Sequence, residues 1–203
     1  INIIMKPTVL EYDGLNIAML PWINNDNYDE YLNFTNTCKA DILCAHLDLK
    51  GFDVQPGIAN PHGMNANTFK RFESVYSGHF HTKSSQGNVH YLGAQMEFTW
   101  ADVDDPKYFH ILDTRTRELT PVRNPITIFK KFVYDDEREN YNNINIKEFE
   151  RKFIKLIVLN KNDLYMFDRL IDRLQNIETY ELKIAESFEE FIGENIGDEK
   201  VSL

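Results

Sequence analysis

The sequence contains few cysteines and no long apolar run. Cys38 and Cys44 are the two cysteines among 203 residues, and their spacing matches no zinc or redox motif and builds no disulfide framework. The longest apolar stretch, 17–23, is interrupted by Pro21 and is far shorter than the roughly 20 residues of a membrane-spanning helix. These absences exclude a disulfide-rich secreted scaffold and a membrane protein, and we expect a reducing, intracellular environment.

Positive charge is also scarce. Lys and Arg number 22 against 32 Asp and Glu, a formal net charge of −10, which argues against a protein whose whole surface coats nucleic acid. Segment 178–199 holds eight acidic residues and one basic residue, whereas 123–155 has a slight excess of basic residues. Local contact with nucleic acid therefore stays open, beside the alternative that both segments are solvated faces.

Length and patterning predict an α/β protein with two parts. In the first part we expect strands at 1–5, 15–20, 41–45, 75–77, 89–93, 108–112 and 118–122, helices at 28–38 and 68–72, and a long loop at 51–67. Prolines at 121 and 125 mark a boundary, followed by strands at 126–133, 153–159 and 179–185. A helix capped near Asn162 or Asp163 precedes the last strand, and its apolar stripe faces the core: Leu164, Phe167, Leu170, Ile171, Leu174 and Ile177. We assign 1–122 and 123–186 to two domains and 187–203 to an acidic tail.

Three of the six histidines follow predicted strands. His46 comes directly after strand 41–45, and Gly78-His79-Phe80-His81 comes directly after strand 75–77. Residues two apart on an extended segment point to the same side, and ligands of α/β sheets bind beyond the carboxyl ends of the strands. We expect Gly78 to let the backbone turn without a Cβ clash. The pattern indicates a metal site, although such histidines also occur as plain surface or core residues.

These segments resemble the last two metal motifs of the calcineurin-like metallophosphoesterases, a strand-end His and then Gly-His-x-His. Together with Leu20-Pro21-Trp22 and the second part of the chain, they resemble the SbcD-like recombination endonuclease subunits of T-even bacteriophages. The resemblance implies the C-terminal half of a metallophosphoesterase β-sandwich flanked by helices, followed by a small α+β capping domain that positions DNA. The family's upstream motifs, Asp-x-His, Gly-Asp and Gly-Asn-His-Asp, are absent. We therefore expect a C-terminal fragment that is inactive alone.

The same resemblance implies a function. The intact protein would be a subunit of a DNA exonuclease or endonuclease complex for phage recombination, replication and repair in the host cytoplasm. It would use two Mn²⁺ ions, with His46 and His79 sharing one ion and His81 holding the other, while the catalytic residues stay unassigned. His62, in the loop between the motifs, would line the substrate channel. The chain has no Gly-rich phosphate loop, so we expect no ATP hydrolysis by this chain, and the resemblance implies that an ATPase partner subunit supplies it; a homodimer is left open.

Two other functions are compatible with the sequence. One is a calcineurin-like phosphatase of the same fold, which we disfavour because a DNA-sized substrate needs the second surface that the appended part provides. The other is an assembly module that docks a partner ATPase through its acidic C-terminal segment, with structural histidines. For single residues, His62 can also be merely solvated, His90 and His110 suit sheet positions, and Trp22 and Trp100 suit the core or its rim.

Overall fold

The computed structural model describes residues 3–186, which belong to two units. Unit 1 is formed by Ile1–Met96 with Asp105–Pro125, and unit 2 by Glu97–Asp104 with Ile126–Leu203. Segment 97–104 is therefore part of unit 2, although unit 1 surrounds it in the sequence. The domain boundary after residue 122 stays a prediction, and the predicted acidic tail at 187–203 lies outside the described residues.

Unit 1 is built on a six-stranded mixed sheet. Its elements are β1 (Thr8–Tyr12), β2 (Leu15–Leu20), α1 (Tyr28–Thr37), β3 (Ile42–Ala45), β4 (Asp53–Gln55), β5 (Ile58–Ala59), β6 (Ser74–Ser77), β7 (Ser84–Gln86), β8 (Val89–Tyr91), β9 (Tyr108–Leu112) and β10 (Leu119–Arg123). The strand order is β1-β2-β3-β6-β8-β7, and β4-β5 and β9-β10 form separate two-stranded sheets. Neighbouring strands β2, β3, β6 and β8 run parallel, whereas β1 and β7 pair antiparallel at the edges.

The sheet of unit 1 is covered on both faces, as buried parallel strands require. One face packs against α1 and the loops after β3 through side chains that include Ala18, Leu43 and Val75. The other face contributes Ile17, Ile42 and Tyr76, and the β9-β10 hairpin covers it with Leu112 and Leu119. Successive strand residues point to opposite sides of a sheet. Since both sets are apolar in these strands, both faces of the sheet are apolar.

The described part of unit 2 contains a three-stranded parallel sheet and one α-helix. Its elements are β11 (Phe129–Asp135), β12 (Phe153–Asn160), α2 (Leu164–Gln175) and β13 (Glu181–Ala185), in the order β11-β12-β13. The side chain of Asp163 caps α2 by accepting a hydrogen bond of 2.9 Å from the backbone N–H of Met166. Phe167, Leu170 and Leu174 then pack on Ile154 and Leu156 of β12.

Several sequence predictions are corrected. In the predicted strand 1–5, residues 3–5 form no strand, and β1 is the first strand of residues 3–186. The predicted loop at 51–67 contains the β4-β5 hairpin, and the helix predicted at 68–72 is a single 3₁₀ turn at Ala66–Phe69. Leu164, the first residue of α2, was predicted to face the core but is 61% exposed.

The mixed α/β class is confirmed by these sheets and helices, whereas the metallophosphoesterase sandwich stays a proposal. Within residues 3–186, no helix has the length and apolar character that crossing a membrane requires.

Candidate metal centre

Three adjacent parallel strands of unit 1 end at the same edge. The register pairs Leu20 of β2 with Ala45 of β3, and Ala45 with Ser77 of β6. The residues that follow these strand ends include Trp22, His46 and His79. Parallel pairing therefore brings together three side chains that lie far apart in the sequence, and the carboxyl edge of such a sheet is the usual place for a ligand.

The rings of these three residues contact one another. His79 Nδ1 lies 3.0 Å from His46 Nε2, a hydrogen bond whose donor depends on the tautomers. The Trp22 ring centroid lies 5.5 Å from that of His46 and 5.0 Å from that of His79. Trp22 is 45% exposed, so it does not lie in the core; of the two expected positions, only the rim remains. The sequence indicated the two histidines but gave Trp22 no role; its position at the end of a strand next to β3 was the available signal.

Both imidazoles of the pair are held toward their neutral form. Burial lowers the pKa of His46. Burial also lowers the pKa of His79, and the nearby His46 and His81 lower it further, while the carboxylate of Asp48 acts in the opposite direction. A neutral imidazole has a lone pair, so this environment favours the form of histidine that binds metal ions.

Two buried hydroxyl groups form hydrogen bonds with the backbone after His46 and fix its position. The Tyr91 hydroxyl donates to the carbonyl of Leu47 at 2.7 Å and accepts from the N–H of Leu49 at 3.1 Å. The N–H of Leu47 donates to Ser77 Oγ at 3.0 Å. Burial raises the pKa of Tyr91, so its hydroxyl keeps its proton at neutral pH and can donate. These bonds connect the loop after β3 to β6 and β8.

The backbone carbonyl of His81 is held by two hydrogen-bond donors. Its carbonyl oxygen accepts hydrogen bonds from the N–H of Ala94 at 2.9 Å and from Lys107 Nζ at 3.2 Å. Lys107 is 3% exposed at its side chain and pairs with Asp105 at 2.7 Å. Gly93 has a φ of 75°, and a Cβ there would lie 2.9 Å from the His81 carbonyl oxygen. Glycine therefore permits a close approach that any other side chain would obstruct.

Gly78 behaves differently from the sequence expectation. Its φ is not positive, and a Cβ at this position would meet no atom within 4 Å. The backbone turn before His79 therefore does not require glycine, and the prediction that Gly78 relieves a clash is wrong.

His62 lies on an exposed part of the loop after β5. Its N–H donates to Asn60 Oδ1 at 3.3 Å. Asn60 in turn donates to Asp48 Oδ1 at 2.6 Å, which connects this loop to the segment that follows His46. The role of His62 in lining a substrate channel stays a prediction.

The residues fit part of a metal site. The facing nitrogens of His46 and His79 are at a separation compatible with two ligands of one ion, given metal–nitrogen bonds of about 2.0–2.1 Å. Within residues 3–186, however, no group of three or more His, Cys, Asp or Glu side chains is arranged to hold a metal ion. The described residues therefore bring two imidazole donors together without a third ligating side chain beside them.

Comparison with known proteins identifies a relative. The chain is 32% identical over 153 residues to exonuclease subunit 1 of Enterobacteria phage T4, an alignment that covers 75% of the chain and 44% of the relative. The chain thus spans less than half the length of this relative. No family model matches the chain. The similarity confirms the resemblance to phage recombination nuclease subunits that the histidine motifs indicate.

Proposed function

We propose, from the similarity to a phage exonuclease subunit, that this chain is the C-terminal part of a metal-dependent DNA nuclease subunit. The observation that carries the proposal is the 3.0 Å approach of His46 and His79 at the carboxyl edge of the sheet. The intact protein hydrolyses DNA phosphodiester bonds in the host cytoplasm, in phage recombination, replication and repair, together with an ATPase subunit. The relative's name, exonuclease subunit 1, supports the nuclease class and the existence of a partner.

In this proposal, His46 and His79 hold one manganese ion and His81 holds its neighbour. Ligands of nitrogen and oxygen together suit Mn²⁺, iron or Zn²⁺ better than Mg²⁺. A pair of such ions supplies a hydroxide nucleophile at neutral pH and charge neutralisation at the leaving oxygen. The chain's own residues orient the ligands: Tyr91 and Ser77 hold the loop after His46, and Lys107 holds the His81 backbone.

Unit 2 supplies the second surface that a DNA substrate needs. Phosphate contacts position DNA without reading its sequence, and lysine and arginine are the usual donors. The register aligns Lys131, Lys155 and Lys183 across β11, β12 and β13, but Lys155 is 2% exposed and its ammonium lies 4.7 Å from the centre of the Trp100 ring, so this row is not the phosphate-binding surface. The DNA-positioning role of unit 2 rests on the similarity to a nuclease subunit.

The ligand roles are tested in the natural protein that contains this chain. We expect His79→Ala to lower manganese-dependent cleavage of duplex DNA by more than about 100-fold, because even partners outside the ligand shell are worth 10- to 100-fold. Lys39→Ala, a change at an exposed residue, should leave the rate unchanged. Wild-type cleavage by His79→Ala would leave only a docking role for the chain. Salt-indifferent activity on small phosphoesters alone would instead indicate a phosphatase.

The incomplete ligand set is tested in the 203-residue chain itself. Calorimetric titration with Mn²⁺ should show weak binding at most, and the chain should not cleave DNA, because the described residues supply no complete ligand set. Tight binding of two ions would contradict the assignment of the remaining ligands to another part of the protein.

A further inference from the structure

Unit 1 contains a cavity that none of the strand-end histidines lines. It has a volume of about 320 Å³ and lies where the β9-β10 hairpin covers the sheet. Polar side chains dominate its wall: Ser74, Lys83, Ser85, His90, His110 and Arg117. Tyr76, Leu92 and Leu119 form an apolar wall. The volume is at the small end of the usual range for sites of small molecules, about 300 to 1,000 Å³.

The wall of the cavity carries two basic side chains. No Asp or Glu of the described residues lines it, whereas Lys83 and Arg117 do. Arg117 is neutralised, because it forms ion pairs with two carboxylates, that of Asp41 at 3.5 Å and that of Glu73. Lys83 has no carboxylate partner among the described residues; its ammonium lies 5.2 Å from the centre of the Tyr108 ring. A ligand that enters the cavity therefore meets a cation and no opposing carboxylate on the wall.

One polar atom of the wall is buried without a partner. His110 Nε2 has no hydrogen-bond partner within the described residues. Buried polar atoms of folded proteins are nearly always hydrogen-bonded, so such an exception calls for an explanation. The neighbouring His90 is different, because its Nδ1 lies 3.0 Å from Ser85 Oγ. In the tautomer that carries the ring proton on Nε2, His110 would donate to a ligand with acceptor atoms, and Lys83 of the same wall would supply positive charge.

We propose that this cavity binds a small phosphate monoester of about the size of a mononucleotide. The phosphate lies between Lys83 and His110, and the organic part packs on the wall formed by Tyr76, Leu92 and Leu119. Several terminal oxygens allow a phosphate to accept from a cation and from neutral donors together, and such charge-assisted bonds are the strong ones. A nucleic-acid strand is disfavoured because the cavity is partly enclosed and small. The inference stands independently of the proposed nuclease activity.

The test is calorimetric titration of the 203-residue chain with deoxyadenosine 5′-monophosphate in the presence of EDTA, which removes any contribution from metal ions. We expect Lys83→Gln to weaken binding about tenfold, and the exposed-site control Lys70→Gln to leave it unchanged. His110→Leu should also weaken binding, without lowering the thermal midpoint of the free protein, because it removes an unpartnered buried atom. Deoxyadenosine, which lacks the phosphate, should bind at least tenfold more weakly.

The proposal is overturned by no binding of the nucleotide, by equal affinities of the Lys83→Gln and Lys70→Gln proteins, or by equal binding of deoxyadenosine and its monophosphate. A 5′-phosphorylated oligonucleotide that displaces the mononucleotide at lower concentration would also overturn the assignment to a small ligand. Lys83 is exposed, so Lys83→Gln keeps the test decisive if His110→Leu fails to fold. Loss of nuclease activity in the natural protein would not affect any of these outcomes.

Discussion

The Tyr91 hydroxyl bridges two backbone groups of the loop after His46, and its removal tests how this loop is held. Tyr91 is 0% exposed, and Leu47 and Leu49, which it bridges, are 1% and 0% exposed. Tyr91→Phe keeps the ring packed against Phe52 and Phe80. The substitution therefore removes two hydrogen bonds and little else.

The magnitude follows from what is left without a partner. The Leu49 N–H loses its bond to the hydroxyl, while the Leu47 carbonyl keeps a long contact of 3.4 Å with Ser77 Oγ. One buried donor without a partner costs about 1–3 kcal/mol. With a urea dependence of about 1–3 kcal/mol/M, a loss near 2 kcal/mol lowers the unfolding midpoint by roughly 1 M at unchanged slope.

The two tryptophans allow each unit to be followed separately, because Trp22 belongs to unit 1 and Trp100 to unit 2. In a Trp100→Phe background, the fluorescence of Trp22 reports urea unfolding of unit 1. The matched control is Tyr12→Phe, at a tyrosine that is 48% exposed, where we expect a change of no more than about 0.5 kcal/mol. Equal midpoints for Tyr91→Phe and Tyr12→Phe would refute the reasoning.

Three further predictions concern stability. Leu170 is 1% exposed, and Leu170→Ala should cost about 2–5 kcal/mol of unfolding free energy, measured by Trp100 fluorescence in urea. Leu164 is 61% exposed, and Leu164→Ala should cost less than about 0.5 kcal/mol. Similar losses for the two variants would contradict the orientation of α2. Asp163→Ala should cost about 1 kcal/mol in the same assay, and Asp163→Asn much less, because an amide oxygen still caps the helix; equal costs would exclude the cap. Burial lowers the pKa of His90, so near this pKa the folded state binds fewer protons than the unfolded state. The stability contribution of neutral His90 is therefore complete above about pH 6.5, and it is lost as the pH decreases through the lowered pKa. His90→Asn should reduce the slope of the urea midpoint between pH 7.5 and 5, and an unchanged slope would show that His90 does not contribute.

Much of the candidate site was predictable because its residues are placed by local signals. A short apolar run delivers His46, and a second run delivers His79 and His81, since each run forms one buried parallel strand. The cap and the apolar stripe of α2 were also predictable from the sequence, because helix capping and the 3.6-residue period depend on residues close together in the chain.

The failures of prediction come from contacts that no local pattern records. The opening apolar residues 3–5 form no strand, which apolar character alone could not show. Residues 97–104 belong to unit 2 because the buried carboxylate of Glu97 accepts from the backbone N–H groups of Ile128 and Phe129, at 2.6 and 2.9 Å. The burial of His110 Nε2 without a hydrogen-bond partner among the described residues also depends on packing of the β9-β10 hairpin against the sheet.

The amino-acid order by itself determined that buried strands end at Ala45 and Ser77, and therefore that His46 and His79 stand close after strand ends. Only the tertiary structure decided that β2, β3 and β6 are parallel neighbours, so that Trp22, His46 and His79 meet at one edge. The physical reason is that strand propensity and capping act over a few residues. Strand order, by contrast, is selected by burial and hydrogen bonding between segments tens of residues apart, which become defined when the whole sheet forms.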